Sequence, residues 1–229
     1  MPCSMTRFYR VNKILIGGAF RLYFGLDVSG QEEIPEEGPC ILASNHCSYL
    51  DPIAVGTVSP RPIHPLAKEE LWRVPLLSWW LKRIGVIPIR RGQGDAGSLR
   101  AALEALGHGE TILVFPEGTR SRDGNIGPLK SGVGFLACRS RATIIPTYIS
   151  GTFHALPRTG IFPRPVKISV HFGSPVGLDL IREGPRERET YEEITRRLEE
   201  ALHALEKKAN QSKGTVIQGP YNGGGCKAV

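Results

Sequence analysis

Six short apolar runs, set apart by helical or turn-forming segments, constrain this 229-residue chain more than any other feature. They are Cys40 to Ala43, Ile63 to Ala67, Val86 to Ile89, Thr111 to Val114, Thr143 to Ser150 and Val166 to Phe172. Runs this short and this apolar read as strands buried on both faces. Between them lie Pro52 to Val58, Gly97 to Leu106 and a segment opened by Lys130-Ser131-Gly132 that runs through Ala137, all of helical character. After the last run, Arg186 to Lys208 places Ile194, Leu198, Leu202 and Leu205 along one stripe of an amphipathic helix. Strand and helix in alternation predict a single α/β domain with a mixed, largely parallel sheet flanked by helices. Pro146, inside the longest run, cannot donate to a ladder, so an edge or a bulge is expected there.

The ends of the chain differ from this middle. Residues Met1 to Leu26 carry Arg7, Arg10, Lys13 and Arg21 among many apolar side chains. At 3.6 residues per turn these cations fall within an arc of roughly 120°. Lys13 and Arg21 interrupt the apolar stretch a membrane span needs, and no small-residue cleavage site follows as in a signal peptide. Two readings remain, a helix lying in the interface of an anionic bilayer and a helix packed on the domain's own core. The segment Glu69 to Arg83 holds all three tryptophans, Trp72, Trp79 and Trp80, beside Arg73, Lys82 and Arg83, and is open to the same two readings. The sequence therefore divides into a membrane-associating helical element (1–30), the α/β domain (31–209) and a Gly-rich, polar, flexible tail (210–229).

Charge narrows the partners. With 29 Lys and Arg against 22 Asp and Glu, the formal net charge is +7. That balance suits a phosphate-bearing substrate, an acidic carrier or an anionic membrane surface. Cys3, Cys40, Cys47, Cys138 and Cys226 are odd in number and lack metal-ligand spacing, which predicts a reduced, intracellular protein without a metal site.

Chemistry concentrates after the first run, at Ser44-Asn45-His46-Cys47-Ser48-Tyr49-Leu50-Asp51-Pro52. Asp51 follows His46 closely enough for one turn of chain to fold the carboxylate back onto the ring. A carboxylate that accepts the proton of one ring nitrogen fixes the tautomer and leaves the other nitrogen free to take a proton from a hydroxyl. Asp51 before Pro52 also reads as a helix cap, a compatible role since a carboxylate has two oxygens. The other histidines, His64, His108, His154, His171 and His203, have no obvious carboxylate partner. Cys47 adjoins His46, but neighbours on a turn point apart. A second segment, Phe115-Pro116-Glu117-Gly118-Thr119-Arg120-Ser121, follows the run Thr111 to Val114.

Asn-His-x-x-x-x-Asp, followed about 70 residues later by Phe-Pro-Glu-Gly-Thr-Arg, resembles the glycerolipid acyltransferase family, whose best-known members are 1-acylglycerol-3-phosphate acyltransferases. The resemblance covers roughly residues 35 to 178. It includes Gly85-Val86-Ile87-Pro88-Ile89-Arg90-Arg91, with Arg91 where the family closes its second block, and an apolar strand with a central proline, Pro146, like the fourth block. What it implies is acyl transfer from a thioester, acyl-CoA or acyl carrier protein, to a hydroxyl of a lysophospholipid. No cofactor, metal or nucleic acid enters. His46 and Asp51 would be the catalytic pair, and Arg91, Glu117, Gly118, Thr119 and Arg120 the acceptor's phosphate and glycerol site. Asn45, Lys68, Lys130 and Pro146 would support them. The place implied is the cytoplasmic face of a membrane.

One motif competes. Gly92-Gln93-Gly94-Asp95-Ala96-Gly97 has the form of a dinucleotide-binding turn, with Glu117 at the distance of a ribose-binding acid. Against it, two arginines intervene between strand and first glycine, and Glu117 already belongs to the Phe-Pro-Glu-Gly-Thr-Arg segment.

Overall fold

A computed structural model describes residues 7–89, 96–183 and 187–215. Its sheet grows from the run Cys40–Ser44 (β2), which is buried at every position. Alternate residues of β2 feed opposite faces, as a pleated strand requires. Cys40 and Leu42 enter one core, with residues of α1 (Arg7–Phe24) and α2 (Asp51–Val58). Ile41 and Ala43 enter the other, with α4 (Ala96–Gly107), α5 (Gly132–Ser140) and α8 (Arg188–Thr215). The result is a sheet between two helical layers.

The remaining strands are β1 (Asp27–Ser29), β3 (Ile63–Lys68), β4 (Ile87–Ile89), β5 (Thr111–Val114), β6 (Thr143–Ser150) and β7 (Ser169–Phe172), ordered β1-β7-β6-β2-β5-β3-β4. All pairs are parallel except β6 with β7. The chain leaves β2 towards β3 on one side, later lays β5 between them, and puts β6 on the other side of β2. Beyond the carboxyl ends of β2, β5 and β6 there is accordingly a topological switch point, where open α/β sheets hold their ligands. Helices α3 (Pro75–Arg83), α6 (Thr152–Ala155) and α7 (Leu178–Glu183) and two short 3-10 helices, Gln31–Glu33 and Glu69–Arg73, complete the order.

Several expectations change. Pro146 lies in β6, an interior strand, and not at an edge. Its carbonyl accepts from Gly173 N–H, on the side where β7 has ended at Phe172. The chain bends through Gly173-Ser174-Pro175 before an isolated bridge, Ile144 to Val176, resumes the pairing with one residue extra on that side, so of the two expectations the bulge holds and the absent N–H falls at it. Residues 27–29, assigned by sequence to the helical element, are the sheet's edge strand beside β7. Helix α8 continues to Thr215, into the stretch expected to be tail. Its close packing on α5 depends on Gly134, where an added Cβ would lie 2.3 Å from the Tyr191 carbonyl oxygen.

Both readings of the N-terminal helix bear on α1. Gly17, Phe20 and Phe24 are buried against the domain, and Tyr9 Oη accepts from Ile63 N–H. Lys13 turns inward to donate to the Ser59 carbonyl, unlike the exposed Arg7, Arg10 and Arg21. Val11, Ile14, Leu15 and Leu22 stay exposed on the outer side. The tryptophan segment is not core either: in α3 only Leu81 is buried. Trp79 meets Phe8 edge to face at 5.5 Å, and Trp80 Nε1 donates to Asn12 Oδ1 at 3.0 Å. Among the described residues no helix is long and apolar enough to cross a membrane.

Candidate active site

The turn leaving β2 carries the site. Asn45 sets where it begins: Ile149 N–H donates to its Oδ1 at 2.8 Å, and its Nδ2 donates to the Ile149 carbonyl at 3.0 Å. The side-chain amide thus extends the pairing to β6 past the end of the strand. His46 follows. Its Nδ1 lies 2.8 Å from Asp51 Oδ2, and its ring stacks on Phe115 at 3.9 Å and 18°. Asp51 is fully buried, and the N–H groups of Cys47 and Ser48 both donate to the same Oδ2 at 2.7 Å. Three donors on one oxygen suit a carboxylate, which is acceptor-only. The capping expectation is corrected: Asp51 is the first residue of α2, and its Oδ2 closes the turn before the helix instead of accepting from the helix's own N–H groups.

The second motif locks onto this turn. Its position follows from β5 lying beside β2, which brings residues 71 apart in sequence together. His46 N–H donates to Glu117 Oε1 at 2.8 Å, Gly127 N–H donates to Glu117 Oε2 at 3.2 Å, and Ser121 N–H donates to the His46 carbonyl at 2.7 Å. Glu117 is 7% exposed, and burial pushes its carboxyl up to about 7 against the two N–H bonds that favour the charged form. It makes no pair with Arg120, and both its oxygens already receive backbone donors.

Arg120 lies over the Tyr49 ring, 3.7 Å from its centroid, with Nη1 buried and without a hydrogen-bond partner. Gly118 takes φ +72° in the intervening turn, a conformation that favours glycine. A Cβ there would come 2.8 Å from Lys130 Nζ, so the Lys130 amine lies close over it, while Lys130 N–H donates to the Pro116 carbonyl. Thr119 is exposed beside Gly118. Cys47 is buried, its thiol pushed up to about 12 by burial and by the Asp51 and Glu117 charges, and Sγ faces the Gly124 carbonyl at 3.7 Å. It is not an activated nucleophile.

Arg91, Gly92 and Gly94, and the side chain of Lys68, lie outside the described residues. Pro146 sits one strand over from β2, paired with Ala43. Two other histidines do have carboxylates, contrary to expectation. His64 Nε2 is 3.5 Å from Glu110, with Nδ1 on the Gly85 carbonyl, and His203 is 3.2 Å from Glu206 one helical turn on. Sequence reading assigned no role to Phe115, Tyr49, Ser48 or Gly127. The first three stand inside the two motifs, and their being placed there was the available signal; nothing marks Gly127.

A family model described as Acyltransferase matches residues 25–150. A chloroplastic 1-acyl-sn-glycerol-3-phosphate acyltransferase of Brassica napus is 29% identical over 59% of this chain and 40% of its own length. The 1-acyl-sn-glycerol-3-phosphate acyltransferase of Limnanthes douglasii is 33% identical over 72% of this chain and 60% of its own. The chain thus spans about half the length of these relatives. The crystal structure of the 1-acyl-sn-glycerophosphate (LPA) acyltransferase PlsC of Thermotoga maritima superposes with a TM-score of 0.67, at 29% identity, covering 84% of this chain and 78% of that one. With a paired imidazole at the sheet's switch point and more than half its length matched, the chain belongs to the acyltransferase family.

Proposed function

We propose that the protein transfers a fatty acyl group from a thioester to the free hydroxyl of 1-acylglycerol 3-phosphate, giving phosphatidic acid. The observation that carries this reading is the His46–Asp51 contact of 2.8 Å, which engages Nδ1 and leaves Nε2 to act on a hydroxyl. His46 Nε2 takes the hydroxyl proton, and the oxygen attacks the thioester carbonyl. The C–S bond then breaks, and the imidazolium returns the proton to the departing thiolate. Asp51 holds the ring's tautomer and stabilises the imidazolium. The donor is acyl-CoA or acyl carrier protein, and the step needs no metal or further cofactor.

Arg120, with one buried nitrogen unpartnered, and Arg91 hold the acceptor's phosphate, supported by Lys130 and Lys68. A guanidinium fork suits phosphate, and fixing it converts an encounter into a positioned reaction. Glu117 acts through His46: its carboxylate ties the His46 N–H to the Gly127 loop and sets the depth of the ring. The enzyme works at an anionic membrane surface, docked through the outer side of α1 and α3, whose exposed apolar residues and arginines support that placement.

The test is acyl transfer from radiolabelled acyl-CoA and acyl carrier protein to lysophosphatidate, glycerol 3-phosphate and other lyso-lipids, beside His46→Ala. Turnover on lysophosphatidate that vanishes in the variant is expected. Wild-type turnover on none of the acceptors, or unchanged in His46→Ala, would refute the reading.

A further inference from the structure

The loop between α6 and β7 carries an apolar tip that the catalytic reading does not use. Ile161 and Phe162 are 84% and 81% exposed. The loop around them is not slack. Gly160 N–H donates to the Pro157 carbonyl, Arg164 N–H to the Ala155 carbonyl, and prolines 157, 163 and 165 restrict the backbone. It is also tied at two places that matter. Tyr23 Oη, near the end of α1, donates to the Pro163 carbonyl at 2.9 Å, and Ser48 Oγ, in the catalytic turn, donates to the Leu156 carbonyl at 2.7 Å. A stiff loop that holds two large apolar side chains in water is placing them for something.

Charge identifies what. Residues 7–26, 74–89 and 152–167 contain no Asp or Glu, in a chain with 22 of them. These three segments are joined: α1 meets Trp79 of α3 through Phe8, near its first turn, and Pro163 through Tyr23, near its last. Phe8 and Tyr23 are about 22 Å apart at 1.5 Å per residue. Within the loop, Lys167 pairs with Asp27 at 2.7 Å, whereas Arg158 and Arg164, exposed on either side of the apolar tip, face no carboxylate among the described residues. Apolar tips flanked by unpaired arginines match acyl chains below a layer of anionic headgroups.

We propose that Ile161 and Phe162 are a second lipid anchor, seated in an anionic bilayer with Arg158 and Arg164 at its phosphates, at the opposite end of α1 from Trp79. This rests on the reading that α1 docks on a membrane, and adds to it that two separated points fix the tilt of the domain. Because the loop starts from the carbonyl held by Ser48, the tilt it sets is also the orientation of the His46 turn to the lipid surface.

The experiment is co-sedimentation of the full chain with vesicles of equal phosphatidylglycerol and phosphatidylcholine, and with phosphatidylcholine alone. Ile161→Ser/Phe162→Ser should bind the mixed vesicles at least about tenfold more weakly than wild type, with the same melting temperature. Arg158→Ser/Arg164→Ser should lower the preference for phosphatidylglycerol, with Arg7, Arg10 and Arg21 of α1 supplying the remainder. Phe162→Trp, which keeps a large apolar side chain, should gain a blue-shifted emission on the mixed vesicles beyond any shift of the wild-type tryptophans. Binding retained by Ile161→Ser/Phe162→Ser but lost by Ile14→Ser/Leu15→Ser would overturn the second anchor alone, as would Phe162→Trp emission that follows wild type. Wild type that ignores mixed vesicles would overturn membrane docking altogether, while wild type that binds both vesicles equally would overturn the role given to the arginines.

Discussion

The turn around His46 leads into α2, against which the inner side of α1 packs, yet the turn and the outer side of α1 are built by different means. Around His46, the imidazole and three backbone N–H groups are held at 2.7–2.8 Å by Asp51 and Glu117, and the ring lies flat on Phe115. Along the outer side of α1 there are few such ties, and the exposed residues are notable for their kind, apolar and cationic, and not for a fixed geometry. The proton transfer proposed for this turn fails when an atom moves by a fraction of an ångström, and the directional bonds around it supply that precision. Contact with a fluid lipid surface needs only area and charge, which composition supplies.

The contrast is sharpest at His46. His46→Ala should lower kcat/KM by about a thousandfold, the range of a lost general base, while vesicle binding stays as in wild type. A parallel fall in vesicle binding would break the separation of the two regions. Asp51→Asn should cost about a hundredfold in kcat. It should also destabilise the fold by about 1–3 kcal/mol in urea unfolding, because Asn replaces an acceptor-only group that three donors share.

Glu117 tests whether the second motif works through the first. Glu117→Gln should lower kcat by about tenfold and leave the acceptor's KM within about twofold, whereas a direct hold on the glycerol would raise KM. A pH series adds a sign. Because burial raises this carboxyl to about 7, its stabilising contribution is present below the unfolded value and is lost as pH rises through 7. The melting temperature of Glu117→Gln relative to wild type should therefore climb between pH 5 and pH 8, and a flat difference would contradict it. Tyr49→Leu removes the ring beneath Arg120 and should raise the acceptor's KM about fivefold, on the scale of a cation–π contact, with kcat little changed. The smallest effect belongs to the outer region. Trp80→Phe gives up the bond to Asn12 and should cost about 1 kcal/mol of stability, with turnover on soluble short-chain substrate unaffected.

How far each region was legible in the sequence follows from the range of its interactions. The His46–Asp51 pair spans five residues, so spacing alone predicts it. The strand runs of β5 and β6 were legible to the residue, because burial on both faces leaves an uninterrupted apolar signature. Strand β1, three residues long with two of them exposed, leaves no such mark. At Pro146 the sequence left an edge and a bulge both open for a related reason: it shows the missing N–H but not that the pairing with β7 is interrupted beside it. The carboxylate of Glu117 was visible as chemistry, but its partners are backbone N–H groups, which every residue carries and no side chain announces.

The sequence by itself therefore determined the alternation of strand and helix, the His46–Asp51 pair, the arginine-bearing turn and the bias of charge at the N-terminus, all of which depend on residues near in the chain. Only the tertiary structure decided that β5 lies against β2 and so puts Glu117 on the His46 N–H from 71 residues away. It alone divided the apolar residues of α1 between a buried and an exposed side, and brought Tyr23 to Pro163. Sheet order and helix docking are set by how whole faces pack, a sum over many weak contacts that no single residue or spacing records.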